Sequence, residues 1–118
     1  MRLKVEHYNL YTYPYVMVTC DQEKFTDDFL DTLQNPKLII EVLSKSTKSY
    51  DRGKKFEMYQ SLTSLSEYIL VSQHIHMVEQ YTRQNVNNWL YSEYTNDQSM
   101  IRILGIEVRL SDIYHNII

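Results

Sequence analysis

The longest apolar stretch of the chain, Leu38, Ile39, Ile40, Glu41, Val42, Leu43, contains one carboxylate. A charge in such a run is hard to keep in water, and a buried unpaired charge costs enough that a partner group or a cation is normally required. Two readings of Glu41 stay open. It is either a strand-end side chain reaching solvent or a lysine, or an acid held at an interior site. The segment around it is basic: Lys37, Lys45, Lys48, Arg52, Lys54 and Lys55 against Glu41 and Asp51 give residues 37–55 a charge of +4, within a chain of net charge −3. Whole-chain acidity therefore leaves room for a local anion site. On a helix, Asp51, Lys55 and Tyr59 recur at i, i+4 and i+8 and share a face, which would bring a lysine over the end of the strand holding Glu41. The plainer alternative is a solvated Asp51–Lys55 pair.

Other chemistry is poorly served. Gly53 and Gly105 are the only glycines, so the glycine-rich phosphate loops of P-loop and dinucleotide-binding enzymes are absent. His74 and His76 form an H-x-H pair beside a strand connection with no third ligand in view, which favours an exposed turn over a metal site. Cys20 has no histidine or Cys-x-x-C partner and reads as a small buried thiol. The eleven tyrosines and Trp89 are scattered through strand-like segments, where packing explains them better than base stacking does.

These residues need elements to position them. With 118 residues, 43% hydrophobic and 13% aromatic, the composition is globular and supports one domain at most. A single cysteine permits no intrachain disulfide and fits a reducing compartment, hence the cytoplasm. The apolar stretch is far short of the roughly 18 residues of a membrane span, and residues 1–13 lack the apolar core of a secretory signal. Alternation of Leu3 and Val5 with Lys4 and Glu6, a turn at Asn9, and the β-rich Tyr13–Thr19 predict a hairpin. Asp21–Asn35 reads as a loop or short helical turn closed by Pro36. Lys37–Leu43 reads as the central strand, covered on both faces. After a polar break at Ser44–Ser49, Phe56, Tyr59 and Leu62 predict an amphipathic helix through about Leu62. Strands are expected at Glu67–Ser72, Met77–Thr82, Trp89–Tyr94, Ile101–Leu104 and Ile106–Leu110, followed by a last turn capped by Ser111, with Ile113, Tyr114 and Ile117 as its apolar face. The class is α/β or α+β with a mixed sheet.

A longer string of residues carries a family resemblance. Tyr13, Pro14, Val16, Met17, Val18, Cys20 and Asp21, then Pro36, Lys37, Leu38, Glu41, Val42, Leu43, Ser44, Ser46 and Thr47, then Asp51, Arg52, Lys55, Phe56, Tyr59, Glu67 and Tyr68, with an ending around Gly105, Ile106, Leu110, Ile113 and Tyr114, resemble the Uma-type family described as "putative restriction endonucleases", of the PD-(D/E)XK nuclease superfamily. The resemblance implies a restriction-endonuclease-like core, a mixed sheet flanked by helices. It further implies Mg²⁺-dependent hydrolysis of DNA phosphodiester bonds, with Glu41 and the main-chain carbonyl of Val42 as metal ligands. Such chemistry suits hard oxygen donors, which hold Mg²⁺ while the ion lowers the pKa of bound water. In many members of the superfamily a lysine stands two residues after the glutamate, but that place is Leu43 here. The resemblance points instead to Lys55 on the following helix, with Lys54 as its neighbour. Asp51 would support the site, and Lys45, Lys48, Arg52 and Lys54 would contact phosphates.

The chain departs from the family pattern in two ways. The Pro-Asp pair whose aspartate is the second metal ligand appears as Pro14 followed by Tyr15, and a neutral phenol is a poor Mg²⁺ ligand. Asp21 is six strand residues away, roughly 20 Å, and Glu6 would have to face the site across the hairpin. Family members also carry a substantial segment before the stretch matched here, so residues 1–118 are expected to form a single, amino-terminally truncated domain. Two functions follow from different classes: a metal-dependent DNA endonuclease, or a catalytically dead DNA-binding or oligomerisation module derived from one. A truncated domain exposes apolar surface or a sheet edge, so a homo-oligomer is expected.

Overall fold

The computed structural model describes residues 2–5, 10–12, 16–18, 32–33, 35–44 and 51–116. Its largest unit is a five-stranded mixed sheet of order β3-β5-β6-β7-β8. The strands are β3 (Val16–Val18), β5 (Leu38–Leu43), β6 (Glu67–Ser72), β7 (Val78–Arg83) and β8 (Trp89–Tyr94). Only β5 and β6 run parallel; the other pairings in this sheet are antiparallel. Parallel neighbours need a crossover, and here it comprises residues 44–66. The described part of the crossover holds a π-helical turn, Asp51–Lys55, running directly into α1, Phe56–Tyr59. Helical structure is thereby laid against one face of the strand that carries Glu41.

Alternation along the strands sorts the apolar side chains into two cores. Ile39, Leu43, Tyr68 and Leu70 meet Phe56, Tyr59, Leu62 and Leu65 from the crossover, together with Leu3 and Val5. The Phe56 ring anchors this side: it lies 5.3 Å from Tyr68, 4.2 Å from Tyr81 and 5.1 Å from Trp89, centroid to centroid. On the opposite face Leu38, Ile69, Val71 and Val78 pack against Ile101, Leu110 and Ile113. Those residues come from a hairpin, β9 (Met100–Ile103) with β10 (Ile106–Arg109), and from α2 (Leu110–Asn116). The two-residue loop of the hairpin has positive φ at both positions, 50° at Leu104 and 81° at Gly105, the combination that matches strand twist and favours glycine.

The expected class, a mixed sheet with helices on an α+β plan, is the one observed. Several boundaries differ. Strand β1 (Arg2–Val5) pairs with β2 (Leu10–Thr12), not with residues 13–19; it also takes the two-residue β4 (Thr32–Leu33) as a parallel neighbour. Val16–Val18 instead joins the large sheet beside β5. The segment containing Glu41 is second in order rather than central; β6 holds the centre. The α-helix after the polar break is a single turn, because a π-helical turn takes the residues before Phe56 and Leu62 lies beyond its end. Ser111 lies inside α2 rather than capping it, since the helix begins at Leu110.

Candidate functional site

Glu41 sits in β5 with its side chain on the α1 face, between the same-face neighbours Ile39 and Leu43, and the residue is 5% exposed. What compensates it arrives from the crossover. Lys55, the last residue of the π-helical turn and the N-cap of α1, donates from Nζ to Glu41 Oε2 at 2.5 Å. The two side chains are 15% and 6% exposed. Each open reading of Glu41 is met in part: the acid is interior, as the one has it, and it reaches a lysine rather than solvent, as the other has it. It also separates the two adjacent lysines, because Lys54 is exposed.

The other expected site residues are distributed unevenly. Val42 is half-buried in β5, one residue on from Glu41, so its side chain points to the opposite face. Asp51 and Arg52 belong to the π-helical turn, but their side chains lie outside the described part of the structure. Tyr15, Lys45 and Lys48 lie outside the described residues altogether, as do Glu6, Cys20 and Asp21.

The sheet brings up residues that the spacing of the sequence did not single out. In the β5–β6–β7–β8 register, Glu41 pairs with Leu70, Leu70 with Glu79, and Glu79 with Glu93. Paired residues share a face, so one row across the sheet carries three carboxylates. Glu79 is 2% exposed. The Tyr91 hydroxyl donates to Glu79 Oε1 at 2.7 Å and lies 3.1 Å from Glu93 Oε2. Burial raises the Tyr91 pKa above its ordinary value, and the hydrogen bond and negative charge of Glu79, then those of Glu93, raise it further. Alternation in Val78–Arg83 does place Glu79 with Tyr81 and Arg83 on one face. Register with a strand about 40 residues away is not written in local spacing.

Arg83 is another such residue. Its guanidinium donates to the carbonyls of Leu65 at 2.7 Å, Gln60 at 3.2 Å, Leu62 at 3.1 Å and Val86 at 3.1 Å, and lies 4.4 Å from the centroid of the Trp89 ring. Desolvation lowers its pKa, yet an arginine stays charged across the physiological range. A planar fork with five donors is what allows one side chain to serve so many acceptors.

For a divalent ion, Glu41 offers a buried carboxylate, and the main chain of Val42 offers a second oxygen. No group of three or more His, Cys, Asp or Glu side chains able to hold a metal occurs among the described residues. Mg²⁺ tolerates such a sparse set, because it commonly binds one or two carboxylates and completes its shell with water and phosphate oxygens. These donors are all oxygen, the kind Mg²⁺ takes, and do not suit a soft-metal cage. The H-x-H pair behaves as expected of an exposed turn: His74 is exposed, and His76 is half-exposed, paired through Nδ1 with Asp97 Oδ1 at 2.8 Å and stacked on Tyr114.

Comparison with known proteins places this geometry in context. A model of the family described as "Uma2: Putative restriction endonuclease" matches residues 1–111. Two uncharacterized proteins of Synechocystis sp. (strain ATCC 27184 / PCC 6803 / Kazusa) are similar: sll1609 is 38% identical over 108 residues, covering 92% of this chain, and slr1290 is 31% identical over 119 residues, covering 99%. In both cases the chain spans 61% of the relative's length. Among solved structures, a "putative nuclease belonging to DUF820" from Anabaena variabilis ATCC 29413 shares the fold, with a TM-score of 0.72 at 11% identity over 97% of this chain and 64% of that one.

Proposed function

We propose a function from one premise: the chain belongs to the Uma2 family, whose description reads "Putative restriction endonuclease". Our reading is a Mg²⁺-dependent endonuclease domain that hydrolyses phosphodiester bonds of DNA. The observation that carries it is the buried contact of Glu41 with Lys55 on one face of the sheet. Outside a charged chemistry, an ion pair at that depth has little to recommend it, because desolvating both groups offsets most of their attraction. Glu41 and the Val42 carbonyl would hold Mg²⁺, which when bound lowers the pKa of water and offsets charge developing on phosphorus. Lys55 presents an ammonium beside that carboxylate, where it orients water or donates to a phosphate oxygen as negative charge builds. Lys45, Lys48, Arg52 and Lys54 would contact flanking phosphates, and Asp51 would support the site.

A second reading rests on a specific observation. Tyr15 occupies the position where the family is expected to carry an aspartate, and Glu41 is the one side-chain carboxylate that the proposed metal set draws from the described residues. On this reading the site has lost its catalytic metal and the chain is a DNA-binding or oligomerisation module; in either case we propose a homo-oligomer in a reducing, cytoplasmic setting. No helix among the described residues is long and apolar enough to cross a membrane. Incubating supercoiled plasmid with the chain in Mg²⁺, Mn²⁺ or chelator separates the readings. The nuclease converts plasmid to nicked circles only with metal, whereas retarded but intact plasmid under every condition supports the module.

A further inference from the structure

Lys55 belongs to a short piece of helix, and one turn of α-helix has almost no stability of its own. Something outside α1 must hold its start over β5. Phe56 and Tyr59 supply apolar anchorage, but rings alone leave the chain after the helix with carbonyls to satisfy. The guanidinium of Arg83 takes three of these, from Gln60, Leu62 and Leu65, and a fourth from Val86 in the β7–β8 connection. The same group lies over Trp89, whose ring meets Phe56 edge-on at 5.1 Å, and Phe56 is the residue after Lys55.

We propose that Arg83, with Trp89, is a positioning residue: it clamps α1 and the segment behind it to the β7–β8 hairpin and thereby fixes where the Lys55 ammonium stands relative to Glu41. The consequence for cleavage rests on the nuclease reading above; the clamp itself does not. Arg83 touches none of the reacting groups and acts only through the crossover. Lysine cannot replace it, because a point-charge ammonium reaches fewer carbonyls and lacks the planar face that stacks on indole.

The test reads Lys55 directly. The intact chain is pulse-labelled with an amine-reactive acetylating reagent and digested, and acetylation at Lys55 is quantified against the exposed Lys54 in the same molecule. In the unsubstituted chain Lys55 should label slowly, and Glu41→Gln should give the high-reactivity reference. Arg83→Lys and Arg83→Ala should raise Lys55 labelling on the order of threefold or more while Lys54 stays constant, because the local opening that exposes Lys55 becomes easier. Unchanged Lys55 labelling in folded Arg83 variants overturns the proposal. Should Arg83→Ala not fold, Arg83→Lys and Trp89→Leu decide the matter in the same way. In parallel, the plasmid assay should show kcat falling about tenfold or more with KM unchanged in Arg83→Lys, the mark of a misplaced group. A chain that never cuts defeats the nuclease reading but leaves the labelling result to judge the clamp.

Discussion

Glu41 and Lys55 each remove the other's main reason to stay hydrated, so the two should fail together. Breaking a buried pair by removing one partner typically costs on the order of 3–5 kcal/mol, because the remaining buried charge loses a close counter-charge. We therefore expect Glu41→Ala and Lys55→Met each to lower the denaturation midpoint strongly, and Glu41→Ala/Lys55→Met to lower it by less than the sum of the singles. A double-mutant cycle by chemical denaturation checks this, and strict additivity would mean that the pair does not interact. Tyr91 gives a pH signature at the same scale. Its pKa is raised in the folded protein by burial and by Glu79 and Glu93, so folding favours the protonated phenol. That contribution is fully present below the ordinary tyrosine pKa, about 10, and is lost as alkaline pH ionises Tyr91 in the unfolded chain and then in the folded one. Melting scans should show Tm falling less steeply above pH ~10 in Tyr91→Phe than in the unsubstituted chain. Of these residues, only Glu41 announces itself in the sequence, as a charge inside an apolar run. Helical spacing already offered Lys55 as its partner and the resemblance pointed the same way, whereas Glu79, Arg83 and Tyr91 depended on a register that only folding supplies.

Elements show the same division between what is local and what is not. The strands from Glu67 onward are legible because alternation and turn residues bracket each one, and their observed ends fall within one or two residues of the expected ones. The helix after the polar break is overextended in a purely periodic reading. Phe56, Tyr59 and Leu62 keep helical spacing, but Leu62 reaches the core from beyond the end of the helix. On the far face, Glu67 (7% exposed) accepts from Gln80 Nε2 and from the Leu104 amide, each at 2.7 Å, while Gln80 Nε2 also donates to the Arg102 carbonyl at 2.7 Å. This network ties the β9–β10 hairpin to the sheet. Glu67→Ala leaves a buried amide without its acceptor, at a cost of about 1–3 kcal/mol. Hydrogen exchange should accelerate at Leu104 more than at β5, and equal acceleration in both would make the tie unimportant.

At the scale of the molecule, a sheet with a buried acid–base pair on one face and a basic stretch from Lys37 to Lys55 is set within a chain of net charge −3. The fold class was readable because a series of strand-like segments is interrupted by only a few helical ones. The short β1–β2–β4 sheet was not, since a two-residue strand carries no pattern. If the basic stretch meets phosphates, DNA affinity must fall with salt, and removing one contact should lower the log–log salt slope by about one. Lys54→Ala, at an exposed position, should do so without altering stability, as fluorescence anisotropy at several salt concentrations would reveal. Whether Glu41 and Lys55 form the working part of a metal-dependent nuclease is read out by plasmid nicking in Mg²⁺ and in Mn²⁺. The chain itself, Tyr15→Asp and Glu41→Ala would be run side by side. Metal-dependent nicking is expected from the chain, from Tyr15→Asp or from both, and none from Glu41→Ala; nicking that survives Glu41→Ala, or no nicking by any of the three, rules out a nuclease built on this pair.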